Sequence, residues 1–129
     1  MVPLCLDQGV GVLPYSPLAR GLLTGSRQRG GGGSTTRSGN DPAASQLYSD
    51  ADFDVVDALV DVAAELGRTP AQVALAWLLG RPGVTAPVVG VTRADHLEDA
   101  LSSLELDLDL DVCARLEAPY QPHAVAGPE

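Results

Sequence analysis

The chain has 129 residues and a formal net charge of −9, and 45% of its residues are hydrophobic. This length fits one domain at most. Only 4% of the residues are aromatic, so a modest core would be built of leucine, valine and alanine. The acidic balance argues against a nucleic-acid or anionic-membrane surface, since both favour clustered cations. All eight basic residues are arginine, so lysine chemistry cannot come from this chain.

Cysteine spacing and the lengths of the apolar runs predict a soluble, cytoplasmic protein. Cys5 and Cys113 lie near opposite ends of the chain without CxxC spacing, which is typical of two reduced thiols rather than of a redox or metal pair. The N-terminus lacks the basic and apolar regions of a signal peptide. The longest apolar runs fall short of the ~20 residues that a membrane span needs.

The N-terminal part predicts a helix end, a strand and a loop. Residues 1–8 predict the end of a truncated helix that stops at Gly9. The short, β-branched run from Val10 to Tyr15 predicts a buried strand. The chain then breaks at Ser16-Pro17. A strand end that opens into a glycine-containing loop is a common phosphate site, but an ordinary tight turn explains the same composition equally well.

Residues 26–46 predict a flexible, glycine-rich surface loop. An uninterrupted glycine run, flanked by serine, threonine and asparagine, cannot bury enough apolar surface to offset the entropy of ordering. Three of the arginines lie in this loop, at positions 27, 29 and 37, and form a basic island in an acidic chain. We hypothesise that the island folds over a bound phosphate-bearing cofactor.

Two helices are predicted next. Residues 52–66 have apolar side chains at helical spacing, and the predicted inner face comprises Phe53, Val56, Leu59, Val60, Ala63 and Leu66. The aspartates near its start are interpreted as interacting favourably with the helix dipole rather than as a metal site, and we predict no metal site elsewhere. In the second helix Thr69 is the predicted N-cap, Pro70 the first residue and Gln72 the partner in a capping box. Trp77 is interpreted as a packing residue.

A second buried strand is predicted at residues 87–90. Strands connected through helices pair in parallel, so this strand is expected to lie beside the first. Thr92 is the predicted N-cap of a following helix with Leu97, Leu101 and Leu104 on its inner face. Backbone N–H groups at such a helix start favour an anion. Further on, residues 104–110 alternate strictly, and this periodicity by itself favours a half-buried strand.

Three stretches together resemble the C-terminal part of the aldo-keto reductases, from barrel strand 7 onward. They occur in the family's order and comprise Ser16-Pro17-Leu18-Ala19-Arg20-Gly21-Leu22-Leu23-Thr24-Gly25, Arg68-Thr69-Pro70-Ala71-Gln72-Val73-Ala74-Leu75-Ala76-Trp77-Leu78-Leu79 and Ala86-Pro87-Val88-Val89-Gly90-Val91-Thr92-Arg93-Ala94-Asp95-His96-Leu97-Glu98-Asp99-Ala100-Leu101. The resemblance covers nearly the whole chain apart from the glycine-rich loop and the last few residues.

The resemblance implies an α/β fold. Residues 1–129 would form a partial aldo-keto reductase barrel, the C-terminal fragment of a (β/α)8 TIM barrel, with two parallel strands and about four helices. It favours an extended link running into a short helix from about Asp109 to Ala118, packed through Val112, Leu116 and Leu108, over the strand that alternation predicts. Residues 119–129 would be an irregular tail.

The resemblance also implies NADPH-dependent reduction of aldehydes or ketones. The family's catalytic tyrosine, lysine, aspartate and histidine come from earlier strands, so no catalytic residue is assigned here. Tyr15 resembles an aromatic residue that stacks on nicotinamide. The implied partners are a small carbonyl substrate and either a second copy of the chain or a complementing barrel fragment. The alternative is a catalytically inactive fragment that binds a nucleotide or docks on a partner.

Cofactor-binding residues are carried over from the matching positions. Ser16, Leu18, Arg20 and Gly21 match positions that line the pyrophosphate, Gly90, Thr92 and Arg93 match the segment that receives the adenosine phosphate, and His96, Asp99 and Ala100 match positions that face the adenine. Arg93 is the best candidate for a 2′-phosphate contact, because a guanidinium fork suits phosphate oxygens. In complete barrels, the loops after strands 7 and 8 commonly form a phosphate site.

Overall fold

A computed structural model describes residues 1–27, 29 and 48–122. Most of the predicted glycine-rich loop at 26–46 and most of the tail at 119–129 lie outside this set. The α-helices of the described part are α1 (Val2–Asp7), α2 (Asp50–Leu66), α3 (Pro70–Leu79), α4 (Ala94–Ser102) and α5 (Leu110–Glu117). Two 3-10 turns cover Ala19–Thr24 and Ser103–Glu105.

Helix α2 begins with a capping box that the sequence analysis missed. The backbone N–H of Ser49 donates to Asp52 Oδ2 at 2.7 Å, so one of the predicted dipole carboxylates serves as a cap. The helix ends at Gly67, whose φ of 62° is left-handed. Its buried face comprises Val56, Leu59, Val62 and Ala63. The predicted inner positions Val60 and Leu66 are exposed instead, because the helix is rotated so that Val62 faces the core.

Helix α3 confirms its predicted cap. The N–H of Gln72 donates to Thr69 Oγ1 at 3.2 Å, and the N–H of Thr69 donates to Gln72 Oε1 at 3.1 Å. The four residues from Val73 to Ala76 are all buried, as expected of a helix that is apolar on nearly all sides.

Helix α5 begins one residue after its cap. The side chain of Asp109 accepts a hydrogen bond from the N–H of Val112 at 2.8 Å. The preceding link contains a 3-10 turn rather than the strand that alternation favours. Leu106 and Leu108 nevertheless pack against the core, whereas Leu104 and Leu110 are exposed. The short helix implied by the family resemblance is therefore confirmed.

Helices α2, α3 and α5 pack together and form what we call the helical layer. Every buried hydrophobic residue of the described chain lies in these three helices except Leu22, which belongs to the first 3-10 turn. Leu18 and Leu23 pack against the same core, so the layer also supports the loop that follows Tyr15. Among the described residues, no helix is long and apolar enough to cross a bilayer.

The predicted strands run side by side in parallel, but they form only isolated bridges. Val12 pairs with Val84, and Tyr15 pairs with Val88. The two bridges are three positions apart in the first segment and four positions apart in the second, so the register shifts by one residue between them. Pro14 and Pro87 lie within the paired stretch, and proline has no N–H to donate to a ladder. A pair of continuous strands is thus not confirmed in the described part of the chain.

The two extended segments (residues 10–15 and 84–90), α1 and α4 form what we call the strand side. Gly11 lies so close to Thr85 that a Cβ atom there would collide with it, so the segments approach closely. The prediction of buried strands is nonetheless wrong for Val10, Leu13 and Val88, which are all more than half exposed. No other described residue covers this surface well enough to bury them.

Helix α4 departs from its prediction at its cap and on its apolar face. Arg93 rather than Thr92 occupies the N-cap position, and no side chain of the described residues caps the helix. The predicted inner residues Leu97, Leu101 and Leu104 are exposed. Periodicity identifies an apolar face correctly but does not show whether the described chain supplies anything to cover it.

Candidate functional site

The predicted cofactor residues lie at one end of the paired segments. Tyr15 pairs with Val88 in parallel, so the chain leaves both segments at the same edge. Ser16 directly follows Tyr15, and Gly90 comes two residues after Val88. The structure therefore brings the loop at 16–25 beside the loop at 90–93. Tyr15, the predicted stacking aromatic, is 83% exposed at this edge.

The loop at 16–25 has a strained backbone. Ser16, Ala19 and Arg20 have positive φ angles of 51°, 48° and 55°. Non-glycine residues with positive φ cost on the order of 1–3 kcal/mol each and persist only where the surroundings fix them. Gly21 and Gly25 continue the left-handed backbone with φ angles of 92° and 70°. A turn of this kind can direct backbone N–H groups at an anion.

Side chains hold the carbonyl groups of this loop. The Tyr48 hydroxyl donates to the carbonyl of Ala19 at 2.7 Å. The Arg27 guanidinium donates to the carbonyl of Arg20 through Nη2 at 3.0 Å and through Nε at 3.3 Å. The hydroxyls of Thr24 and Ser26 donate to the carbonyl of Gly21 at 2.8 and 3.1 Å. Sequence reasoning missed these contacts, because donors up to 29 residues away converge only in the fold.

The second loop holds Arg93 in an ion pair within its own turn. Arg93 Nε lies 2.9 Å from Asp95 Oδ1, and Nη2 lies 2.7 Å from Asp95 Oδ2. The hydrogen bonds from Arg93 lower the pKa of the Asp95 carboxyl. The Arg93 side chain remains 69% exposed, so an incoming phosphate can reach the guanidinium. Thr92 and Gly90 are exposed beside it.

The three predicted adenine residues differ in their surroundings. His96 is exposed, and its backbone N–H donates to Asp95 Oδ1 at 3.2 Å. Asp99 turns toward α3, where its Oδ1 accepts from Gln72 Nε2 at 3.0 Å. Ala100 is half-buried, and its carbonyl accepts from the hydroxyl of Ser103 at 2.6 Å. Of the three, only His96 presents an exposed side chain on α4.

The basic island is divided between two places. Arg27 contacts the loop at 16–25, as described above. Arg29 instead contacts α2, where its Nη2 lies 2.7 Å from Asp54 Oδ1 and 2.6 Å from Asp57 Oδ2. Arg37 lies outside the described residues. The part of the island that the structure describes therefore braces the loop and α2 rather than extending over the paired segments.

An apolar cavity of about 500 Å³ lies behind the loop, toward the helical layer. Pro17 and Leu23 line it from the loop, and Trp77 lines it from α3. Trp77 packs against the core, and its Nε1 donates to Glu117 at 2.9 Å. None of the ten predicted cofactor residues lines this cavity. Within the described ranges, no group of three or more histidine, cysteine, aspartate or glutamate residues could hold a metal ion.

Comparison with known proteins extends these findings. Residues 1–121 match the model of the aldo/keto reductase family. The chain is 36% identical over 132 residues to versiconal hemiacetal acetate reductase of Aspergillus parasiticus, covering 97% of this chain and 36% of that protein. It is 34% identical to the oxidoreductase YrpG of Bacillus subtilis, covering 90% of this chain and 34% of YrpG.

The chain thus spans about a third of the length of the curated relatives it matches. An aldo-keto reductase of Fusarium vanettenii shows the same proportion, with 33% identity over 98% of this chain and 34% of that protein. The family match covers residues 1–121 and includes both loops at the shared edge. The chain belongs to the aldo/keto reductase family.

Proposed function

We propose that this chain supplies the NADPH-binding loops of an aldo-keto reductase that reduces aldehydes or ketones. The observation that carries the proposal is the parallel bridge between Tyr15 and Val88, because it sets the two predicted phosphate loops at one edge. Paired loops of this kind after strands 7 and 8 form the phosphate site in (β/α)8 barrels. We accordingly propose that the chain is a C-terminal barrel fragment that is located in the cytoplasm.

The residues present fit a dinucleotide phosphate. Ser16 and Arg20 are exposed on the first loop, and Arg93 is exposed on the second, so the two loops offer donors of both hydroxyl and guanidinium type. In this proposal Leu18, Gly21, Gly90 and Thr92 complete the phosphate contacts and His96 lies toward the adenine, whereas Asp99 binds Gln72 and Ala100 is half-buried. Because Arg93 already pairs with Asp95, a 2′-phosphate would have to share the guanidinium with that carboxylate or displace it.

When bound, NADPH supplies the hydride for carbonyl reduction. This chain binds and orients the nucleotide, while the catalytic tyrosine, lysine, aspartate and histidine lie outside it. The sequence contains no lysine, so one member of that set is absent from the chain. We expect the chain alone to leave NADPH unoxidised in the presence of an aldehyde panel, followed by absorbance. Turnover by the purified chain would contradict this division of roles.

Nucleotide titration tests the cofactor assignment. Trp77 is the single tryptophan, and it lines the same cavity as Pro17 and Leu23 of the loop, so its fluorescence reports on the loop. We expect a saturable change with NADPH. Arg93→Ala should weaken NADPH severalfold and leave NADH unchanged, whereas the exposed control Arg68→Ala should alter neither. A chain that gives no saturable response to either nucleotide would overturn the proposal.

A substitution of Asp95, which pairs with Arg93, should change NADPH affinity in the opposite direction. Asp95→Asn keeps the size of the side chain and removes the negative charge that occupies the guanidinium. We expect severalfold tighter NADPH binding and no change for NADH, because only the 2′-phosphate gains from a released cation. Equal tightening of both nucleotides would show that Asp95 acts on the shared diphosphate instead.

A second candidate function is docking of the strand side on a second copy of this chain. The observation that favours it is the number of exposed apolar side chains on α1, near the paired segments, and on α4 with the turn after it, which comprise Val2, Leu4, Leu6, Val10, Leu13, Tyr15, Val88, Val91, Leu97, Leu101 and Leu104. Large exposed apolar patches mark interaction sites. Sedimentation velocity across protein concentration tests for self-association, and Leu101→Ser should reduce it. A monomer whose behaviour Leu101→Ser leaves unchanged would favour the nucleotide-binding role alone.

A further inference from the structure

We propose that Arg27 and Tyr48, with the hydroxyls of Thr24 and Ser26, are positioning residues that hold the backbone of residues 19–21 in the shape that accepts the cofactor pyrophosphate. The inference rests on the proposed function, since it concerns the same loop. It goes beyond that function by naming four side chains outside the predicted cofactor set. Each of them acts through a carbonyl group of the loop rather than through the ligand.

Three consecutive carbonyl groups carry the argument. Those of Ala19, Arg20 and Gly21 all accept side-chain hydrogen bonds, at distances between 2.7 and 3.3 Å. The same three residues have positive φ angles of 48°, 55° and 92°. Strained backbone persists only where the surroundings over-determine it. Donors therefore hold the carbonyls of two strained residues, Ala19 and Arg20, and of the adjacent Gly21, where positive φ costs little, which is the arrangement expected of a clamp.

Arg27 and Tyr48, the two clamp residues most distant from the loop in sequence, are themselves held in place. Arg27 is only 9% exposed, and a buried guanidinium is stabilised by charge-assisted bonds such as its fork on the carbonyl of Arg20. Tyr48 directly precedes Ser49, which the capping box with Asp52 fixes at the start of α2. The Tyr48 hydroxyl therefore reaches Ala19 from an ordered helix start. Loop geometry is in this way coupled to the helical layer.

The electrostatic consequence favours an anion. A carbonyl oxygen carries partial negative charge, so a carbonyl aimed at the ligand would repel a pyrophosphate. Each of these three oxygens instead faces a donor of the protein. The loop is also held in shape before any ligand arrives, and preorganisation of this kind raises affinity by removing the cost of ordering. Loss of a donor should therefore loosen the loop and weaken nucleotide binding together.

Proteolysis measures the loop without any cofactor. The peptide bond that follows Arg20 has the carbonyl held by Arg27, and trypsin cleaves at this bond. Mass spectrometry of early digests of the full 129-residue chain gives the rate of cleavage after Arg20. Cleavage after Arg68, in the turn between α2 and α3, serves as the internal reference, so that the ratio of the two rates removes any effect of global unfolding.

Tyr48→Phe removes the hydroxyl that donates to the carbonyl of Ala19. Arg27→Lys keeps the positive charge but removes the two guanidinium N–H groups that donate to the carbonyl of Arg20. The matched controls are Tyr120→Phe, at a residue that lines the cavity with Pro17 and Leu23 but donates to no carbonyl of residues 19–21 among the described interactions, and Arg115→Lys, at a residue that pairs with Glu65. We expect each clamp variant to raise the cleavage ratio about tenfold, the factor for one lost hydrogen bond of ordinary strength, and to weaken NADPH severalfold. The controls should leave both quantities unchanged.

The outcomes separate the clamp from the proposed function. An unchanged cleavage ratio in both clamp variants overturns the clamp, whatever the nucleotide does. A raised ratio with unaltered NADPH affinity also overturns the positioning role, because the residues would then serve loop structure alone. If the wild-type chain binds no NADPH, the proposed function is overturned and the positioning role with it. A cleavage ratio that is still raised in the two clamp variants would then support a clamp that serves loop structure alone.

Discussion

The helical layer and the strand side differ in how much of their apolar surface the chain itself covers. The helical layer contains every buried hydrophobic residue of the described chain except Leu22. The strand side has the same kinds of side chain at comparable spacing, yet Leu101 of α4 is 54% exposed whereas Leu75 of α3 is 2% exposed. Similar sequence patterns thus lead to opposite environments within one chain.

This difference predicts where the stability of the molecule lies. Burial of apolar area is the main source of folding free energy, so the helical layer should supply most of the stability. The loop at 90–93 adjoins the strand side, which has little buried area, whereas the loop at 16–25 packs on the helical layer through Leu18 and Leu23. Helix α3 connects the two regions, because its capping residue Gln72 also binds Asp99 of α4. The comparison predicts that equivalent substitutions have unequal effects in the two regions.

The largest contrast is expected between Leu75→Ala and Leu101→Ala. Truncating a fully buried leucine removes its transfer free energy and leaves a cavity, which costs roughly 2–5 kcal/mol of the free energy of unfolding. The same change at an exposed helix position should stay within about 0.5 kcal/mol. Urea denaturation followed by circular dichroism measures both. A large loss for Leu101→Ala would show that the strand side is covered in solution, by a second copy or by residues outside the described set.

A smaller contrast is expected between two predicted caps. Thr69 accepts the hydrogen bond from the N–H of Gln72 at the start of α3, whereas no side chain in the described part of the chain caps α4 beside Thr92. Thr69→Ala should therefore cost about 1 kcal/mol of the free energy of unfolding, and Thr92→Ala should cost close to nothing. Thr69→Ser, which retains the hydroxyl acceptor, is the matched control and should restore most of the loss. Equal effects at both threonines would contradict the capping assignment.

These two contrasts also show how far the sequence could predict the fold. The cap of α3 was predicted because Thr69, Pro70 and Gln72 interact within one turn of the chain. Local rules of this kind need no knowledge of the fold. The rotation of α2 was not predicted, since Val60 and Val62 are equally apolar and only the packing of α3 and α5 decides which is buried.

The candidate site was predictable to a similar extent. Its loops could be identified from the family resemblance, and the parallel pairing of Tyr15 with Val88 agrees with that expectation. The clamp on residues 19–21 could not be predicted. Arg27 binds a backbone carbonyl, and every residue type has this group, so the sequence does not mark the partner. Likewise, the pairing of Arg93 with Asp95 depends on the extended backbone of Arg93 at the N-cap position, which composition does not specify.

The smallest effect is expected at an ion pair of the helical layer. Arg115 of α5 donates to both carboxylate oxygens of Glu65 in α2, each at 2.7 Å. The hydrogen bonds from Arg115 lower the pKa of the Glu65 carboxyl below its ordinary value. A lowered folded pKa means that the pair stabilises the fold above the unfolded pKa and that this contribution is lost as the pH falls. Surface pairs contribute little and are screened by salt.

A double-mutant cycle isolates this contribution. We expect the coupling between Glu65→Gln and Arg115→Gln, measured by urea denaturation, to be small at pH 7. It should decline once the pH falls below about 4, where an unfolded glutamate becomes protonated, and vanish when the folded carboxyl is protonated as well. It should also shrink in 1 M salt. The Arg93–Asp95 pair joins residues two positions apart, so the unfolded chain can form it as well, and the corresponding cycle should show weaker coupling to global unfolding. Coupling there equal to that of Glu65 with Arg115 would remove the distinction between the two regions.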